Sequence, residues 1–159
     1  MEGKNKVLII DSEPDFINAA REALETHFEV DIASTIRTGI SLAVQKHPDA
    51  IVLGYLEPRG ASFETHMELR NNTSTKDIPL LIVDVHPREH ARKGWTRHEG
   101  LLMNAEDYTS RPVDSKEMVS ALHKIIRRAS GEPMGLVEAS EQMEKTLERI
   151  NRIEELLVG

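Results

Sequence analysis

The sequence predicts an α/β protein: a five-stranded parallel sheet covered by helices on both faces, followed by an amphipathic C-terminal helix. Three observations predict it. Short apolar runs recur along the chain, "KVLII" (Lys6 to Ile10), "AIVL" (Ala50 to Leu53) and "IPLLIV" (Ile78 to Val83). They are continuous rather than alternating, as strands buried on both faces are. The segments between them carry apolar residues at helical spacing, and strands that alternate with helices make a parallel sheet.

Each element has its own signal. Asp11 and Ser12 end the first strand, and Pro14 suits the opening turn of a helix on which Phe16, Ala20, Ala23 and Leu24 recur. "FEVDIAS" (Phe28 to Ser34) alternates as a second strand. Thr35 can cap a helix with Ile36, Ile40, Ala43 and Val44 on one face. "AIVL" is the third strand, and Phe63, Met67 and Arg70 lie on a third helix. "IPLLIV" is the fourth strand. The polar stretch from His86 to Met103 reads as helical, interrupted at Gly94 and Gly100. "DYTS" (Asp107 to Ser110) is a brief fifth strand, and Asp114 or Ser115 starts a helix carrying Met118, Leu122, Ile125 and Ile126. The domain so defined covers residues 5–128. "ASGEPMG" (129–135) reads as a linker, and residues 136–158 as an amphipathic helix.

Composition narrows the function. The 159 residues are 39% hydrophobic and 30% charged and include no cysteine, which excludes disulfides and thiolate metal sites. No apolar stretch approaches the roughly 20 residues needed to span a bilayer. "MEGKNKVLII" runs straight into a strand and does not read as a signal peptide, so the cytoplasm is the expected location and no membrane partner is expected. The net charge of −7 argues against nucleic acid as a partner, because phosphates repel an acidic surface.

In parallel sheets of this kind the functional crevice lies beyond the carboxyl ends of the strands. Asp11, Ser12, Gly54, Asp84, Ser110 and Arg111 occupy those ends. The surrounding text, "VLIIDSEPD", "PDAIVLGYLEPRG", "IPLLIVD" and "AEDYTSRPV", resembles the receiver domain of two-component response regulators, in that family's order and at about its spacing. The resemblance implies a doubly wound, flavodoxin-like (CheY-like) fold. It also implies phosphoryl transfer from a histidine kinase to an aspartate after the third strand. In that family an acidic pair binds Mg²⁺, a hydroxyl residue follows the fourth strand, and a lysine precedes a proline after the fifth.

This chain departs from the pattern where the chemistry lies. Gly54 falls on the phosphoacceptor position, and glycine offers no nucleophile. Asp84 falls on the hydroxyl position and Arg111, before Pro112, on the lysine. Ser12 takes a position that is usually acidic, leaving Asp11 and Glu13 as a weak Mg²⁺ site. Tyr108 matches the aromatic residue that changes rotamer on activation. Asp84 and Arg111 are expected either to pair over Gly54, linking two strand ends without phosphate, or to stand solvated around a degenerate pocket.

Other features are weighed against plainer readings. His86 and His90 share a helical face with His98 beyond them, but without an "HExxH" pattern they read as surface histidines rather than zinc ligands. Arg88, Arg92, Lys93 and Arg97 surround Trp95, a basic island that would suit an acidic protein partner, although Trp95 packed on the sheet is the plainer reading. Tyr108 is expected to pack its ring and leave its hydroxyl wet. The final helix carries Met143, Leu147, Ile150 and Leu157 near one stripe, with Ile153 beside it. It would pair with a second copy in a coiled coil, making a homodimer, or fold back on the domain. The reading is a non-enzymatic, phosphorylation-incompetent pseudo-receiver acting by protein contact. A small-molecule or metal sensor using the vacated pocket is the alternative.

Overall fold

In the computed structural model, which describes residues 3–131 and 143–153, five parallel strands form one sheet in the order β2-β1-β3-β4-β5. The strands are β1 (Lys6–Ile10), β2 (Glu29–Ala33), β3 (Ala50–Leu53), β4 (Leu80–Asp84) and β5 (Asp107–Ser110). The helices are α1 (Pro14–Leu24), α2 (Ile36–Lys46), α3 (Ala61–Asn71), the short α4 (His90–Lys93) and α5 (Arg97–Leu101), and α6 (Ser115–Ala129). Residues 143–153 form a further helix, α7. No helix among the described residues is long and apolar enough to cross a membrane.

Successive strand residues point to opposite faces, so each strand feeds two cores. Val7, Ile9, Val52, Leu81 and Val83 pack with Leu24 of α1 and Met118, Leu122 and Ile125 of α6. Leu8, Ile10, Ile51, Leu53 and Ile82 pack with Leu69 of α3, Trp95, Tyr108 and Ile150 of α7.

Caps begin the helices where the sequence placed them. Thr35 accepts from Thr38 N, and Asp114 accepts from the backbone of Lys116 and Glu117. The fourth strand starts later than "IPLLIV" suggests: Pro79 has no N–H to donate, and Leu80 N is held by the Glu106 carboxylate at 2.6 Å. The stretch after β4 is broken at Gly94, as the sequence suggests, into α4 and α5, whereas Gly100 lies inside α5 and does not interrupt it. A capping box between Thr96 and Glu99 begins α5 afresh. Gly94 ends α4 in an extended conformation, and an added Cβ there would lie 2.3 Å from His90 Nδ1.

His66 lies buried on α3 between Phe63 and Trp95, with Nε2 accepting from Asn104 N at 2.7 Å. Burial, and then the nearby Arg70 charge, push its pKa down from 6.5 to about 4. A depressed histidine contributes stability that is complete above pH 6.5 and lost as pH falls towards the fold's own value. That interval corresponds to about 3 kcal/mol. His66→Gln should therefore flatten the acid limb of stability between pH 6.5 and 4, measured by urea unfolding followed through Trp95 fluorescence. An unchanged slope would place the acid sensitivity elsewhere.

Candidate functional site

Asp11 is completely buried one residue beyond β1. Its Oδ1 accepts from Glu13 N at 2.7 Å and its Oδ2 from Tyr55 N at 2.8 Å, tying the ends of β1 and β3 together. Arg111 reaches the same place from the end of β5. Its Nη2 donates to Asp11 Oδ2 and its Nη1 to Glu13 Oε1. The guanidinium also stacks 4.0 Å from the centre of the Phe16 ring. Lys93 Nζ lies 3.4 Å from Glu13 Oε2 and 2.9 Å from Glu89, so Glu13 bridges two cations. Burial pushes the Asp11 carboxyl above the usual carboxylate range, and the Arg111 charge pulls against that shift.

Gly54 is what makes this arrangement fit. A Cβ there would lie 1.8 Å from Asp11 Oδ2 and 2.6 Å from Arg111 Nη2. Its carbonyl accepts from Ser62 Oγ at 2.5 Å, and that hydroxyl in turn accepts from Leu56 N at 3.1 Å, which fixes the turn after β3. Ser12 Oγ donates to Tyr55 O at 3.0 Å instead of joining the carboxylates.

Asp84 turns away from Arg111, so the expected pair across β4 and β5 does not form. Its Oδ1 accepts from Val85 N at 2.8 Å, and its Oδ2 accepts from Trp95 N at 2.9 Å and Tyr108 Oη at 2.8 Å. His90 Nδ1 stands 3.8 Å from that oxygen. Three donors satisfy Asp84 inside the protein, whereas Arg111 reaches past β4 and β3 to the two carboxylates at the end of β1. Burial pushes the Asp84 carboxyl up, opposed first by the Trp95 N–H and then by the Tyr108 hydroxyl.

Several expectations change. The Tyr108 hydroxyl is buried rather than wet, because it donates a hydrogen bond to Asp84. Trp95 is buried against Phe63 and His66, as its plainer reading has it, so neither aromatic belongs to an exposed partner face; Arg88, Arg92 and Arg97 are exposed and Lys93 is half-buried. His90 is buried beside Asp84, not at the surface. His86 accepts from Arg88 N, and no group of three metal-ligating side chains occurs among the described residues. The space over Gly54 is not vacant. The open groove lies alongside it between α1 and α6, about 700 Å³, lined in part by Pro14, Phe16, Arg111 and Met118. The Mg²⁺ that the acidic pair would hold does not fit while Arg111 engages both carboxylates.

Reasoning from sequence missed Phe16 and Ser62 at this site. Phe16 was legible only as an apolar helix position, and Ser62 carried no signal beyond its distance from Gly54.

The five parallel strands and flanking helices are the flavodoxin-like fold of CheY-like receiver domains. Sequence and fold together strongly support a response regulator receiver domain of the CheY-like kind. The chain is 27% identical over 122 residues to protein PilH of Pseudomonas aeruginosa, covering 76% of this chain and 97% of PilH. It is 30% identical over 129 residues to the DNA-binding transcriptional regulator RpaA of Synechocystis, covering 80% of this chain but 52% of that protein. The chain therefore spans about half the length of RpaA and nearly all of PilH. The CheY-like receiver domain protein of Methanospirillum hungatei superposes with a TM-score of 0.66 at 15% identity, covering 80% of this chain and 98% of that one. No model of a known protein family matches the chain.

Proposed function

We propose that this chain is a phosphorylation-incompetent receiver-like module of two-component signalling that acts through protein–protein contact. One observation carries the reading: the volume over Gly54, where a phosphoacceptor would stand, is filled by the Asp11 carboxylate and the Arg111 guanidinium. A phosphoryl group needs a nucleophile and room, and this position supplies neither. Arg111 stands in for the metal as the counter-charge of the acidic pair. Asp84, where a hydroxyl residue would bind phosphate, instead holds Tyr108 inward by a hydrogen bond that requires no phosphate. The module is thereby kept in one conformation. The exposed Arg88, Arg92 and Arg97 suit an acidic protein partner, in the cytoplasm and without nucleic acid.

Intact-mass spectrometry after incubation with acetyl phosphate and Mg²⁺ tests this. The protein should gain no phosphoryl group, and neither should Gly54→Asp, whose new side chain would meet Asp11 and Arg111 at once. A stable adduct on the unmodified chain would overturn the reading.

A further inference from the structure

A second groove opens on the outer surface where α1 meets α6. Its volume is about 630 Å³, within the roughly 300–1,000 Å³ range of small-molecule sites. Ala23 of α1 and Val119 of α6 form its half-buried floor. Ala23 has no side chain beyond Cβ, so the two helices leave a trough there instead of closing on each other. Lys116, Ser120, His123 and Arg127 follow one another at intervals of three and four residues, which places them on one exposed stripe of α6 along that trough.

The lining carries charge of one sign. Lys116, Lys124 and Arg127 bring three cations to it and, among the described residues, no carboxylate lines it, in a chain whose net charge is −7. The helix does not account for all of them. Arg127 lies in the last turn, where a helix end favours a cation, but Lys116 lies in the first turn, where it does not. The first-turn amides of α6 are not the anion site, since Asp114 already accepts from Lys116 N and Glu117 N. Beside the cations two imidazoles make a wall. The His123 ring packs 4.8 Å from the ring of buried Phe28, and the His27 ring stands edge-on to it at 6.2 Å.

We propose that this groove binds a nucleoside monophosphate, at a site separate from the strand ends over Gly54. The two lysines and Arg127 take the phosphate, to which a guanidinium offers parallel N–H donors. The imidazole wall takes the base, which stacks on planar side chains whatever its identity. The hydroxyls of Ser115 and Ser120 belong to the same lining and serve the sugar. Inorganic phosphate alone would use only the cations and leave the trough empty, and a long polyanion would meet the acidic remainder of the surface. The bound nucleotide ties α1 to α6. This inference does not depend on whether the phosphoacceptor position is inert.

Calorimetric titration of the full chain with AMP, GMP, CMP and UMP tests it. At least one should bind saturably at a single site, with inorganic phosphate and the matching nucleoside each at least ~10-fold weaker. Lys116→Gln combined with Lys124→Gln should weaken that nucleotide at least ~10-fold, by removing charge-assisted bonds. His123→Ala should weaken the nucleotide but not inorganic phosphate, a split that a merely structural role would not give. These side chains are exposed, so the melting temperature without ligand should stay unchanged in both variants. Arg37→Gln combined with Lys76→Gln removes the same charge from exposed positions on α2 and after α3, and should leave binding as it is. Saturable binding by none of the four nucleotides, or equal losses from the two charge-removing pairs, would overturn the site. So would an Asp/Glu hexapeptide that binds as tightly as the nucleotide, which would assign the groove to acidic peptide.

Discussion

Arg111→Ala should destabilise the protein by about 3–5 kcal/mol at neutral pH, the cost of leaving a buried charge without its partner. Asp11 is 0% exposed and the Arg111 side chain 11%, so little water is at hand to replace the guanidinium. The loss should be smaller at pH 5. The folded carboxyl of Asp11 already lies above its ordinary value, and removing Arg111, which pulls it down, raises it further. A raised carboxylate leaves stability intact below the unfolded value and loses it as pH climbs through the folded one. Urea unfolding at pH 5 and 7 measures the difference. Arg111→Lys should fall between, since an ammonium cannot present two parallel donors to two carboxylates. Mg²⁺ should raise the melting temperature of Arg111→Ala and leave the parent unchanged, because only the variant presents Asp11 and Glu13 without a resident cation. An equal response in both proteins would mean that Arg111 does not compete for that position.

Asp84→Ala should cost about 3–6 kcal/mol, because it leaves Val85 N, Trp95 N and the Tyr108 hydroxyl together in the interior without an acceptor. Trp95 fluorescence should report the damage, as the backbone N–H that holds this residue against the sheet loses its partner. Tyr108→Phe removes one of the three bonds and should cost about 1–2 kcal/mol. That hydroxyl pulls the Asp84 carboxyl down, so without it the carboxyl rises further and the penalty grows with pH. A Tyr108→Phe protein as stable as the parent at every pH would show that Asp84 is held by backbone donors alone.

The strands were legible because apolar runs such as Lys6–Ile10 and Ala50–Leu53 have no other economical place in a chain of this composition. The strand ends, and with them the membership of the site, followed from the parallel topology. The pairing within the site did not. Arg111 had Asp11, Glu13 and Asp84 all within a plausible reach, and strand order alone does not say how a side chain turns. What decides it is the polypeptide after β4: Trp95 returns to the sheet and presents its N–H to Asp84, a contact between residues eleven apart in a stretch without strong periodicity. Gly54 was read as a missing nucleophile, which is half its meaning. The other half, the close approach of Asp11 and Arg111, depends on a third strand and carries no local signal. Fold-back of α7 was one of two alternatives and could not be chosen, because its isoleucines would serve a coiled coil as well, and Gly100 was legible only as a helix breaker.

A cation on a side chain differs from a dissolved one in its effective concentration. Arg111 is tethered within bonding range of Asp11 and Glu13, so the neutralisation of that pair does not vary with the magnesium in the surroundings and withstands chelators. An exchangeable ion makes occupancy a variable; a tethered one makes it a constant. Under the proposed reading this protein has no chemical mark to gain or lose at that position. Its influence on a partner is then set by dosage, by how many copies are present and how many partner molecules they meet.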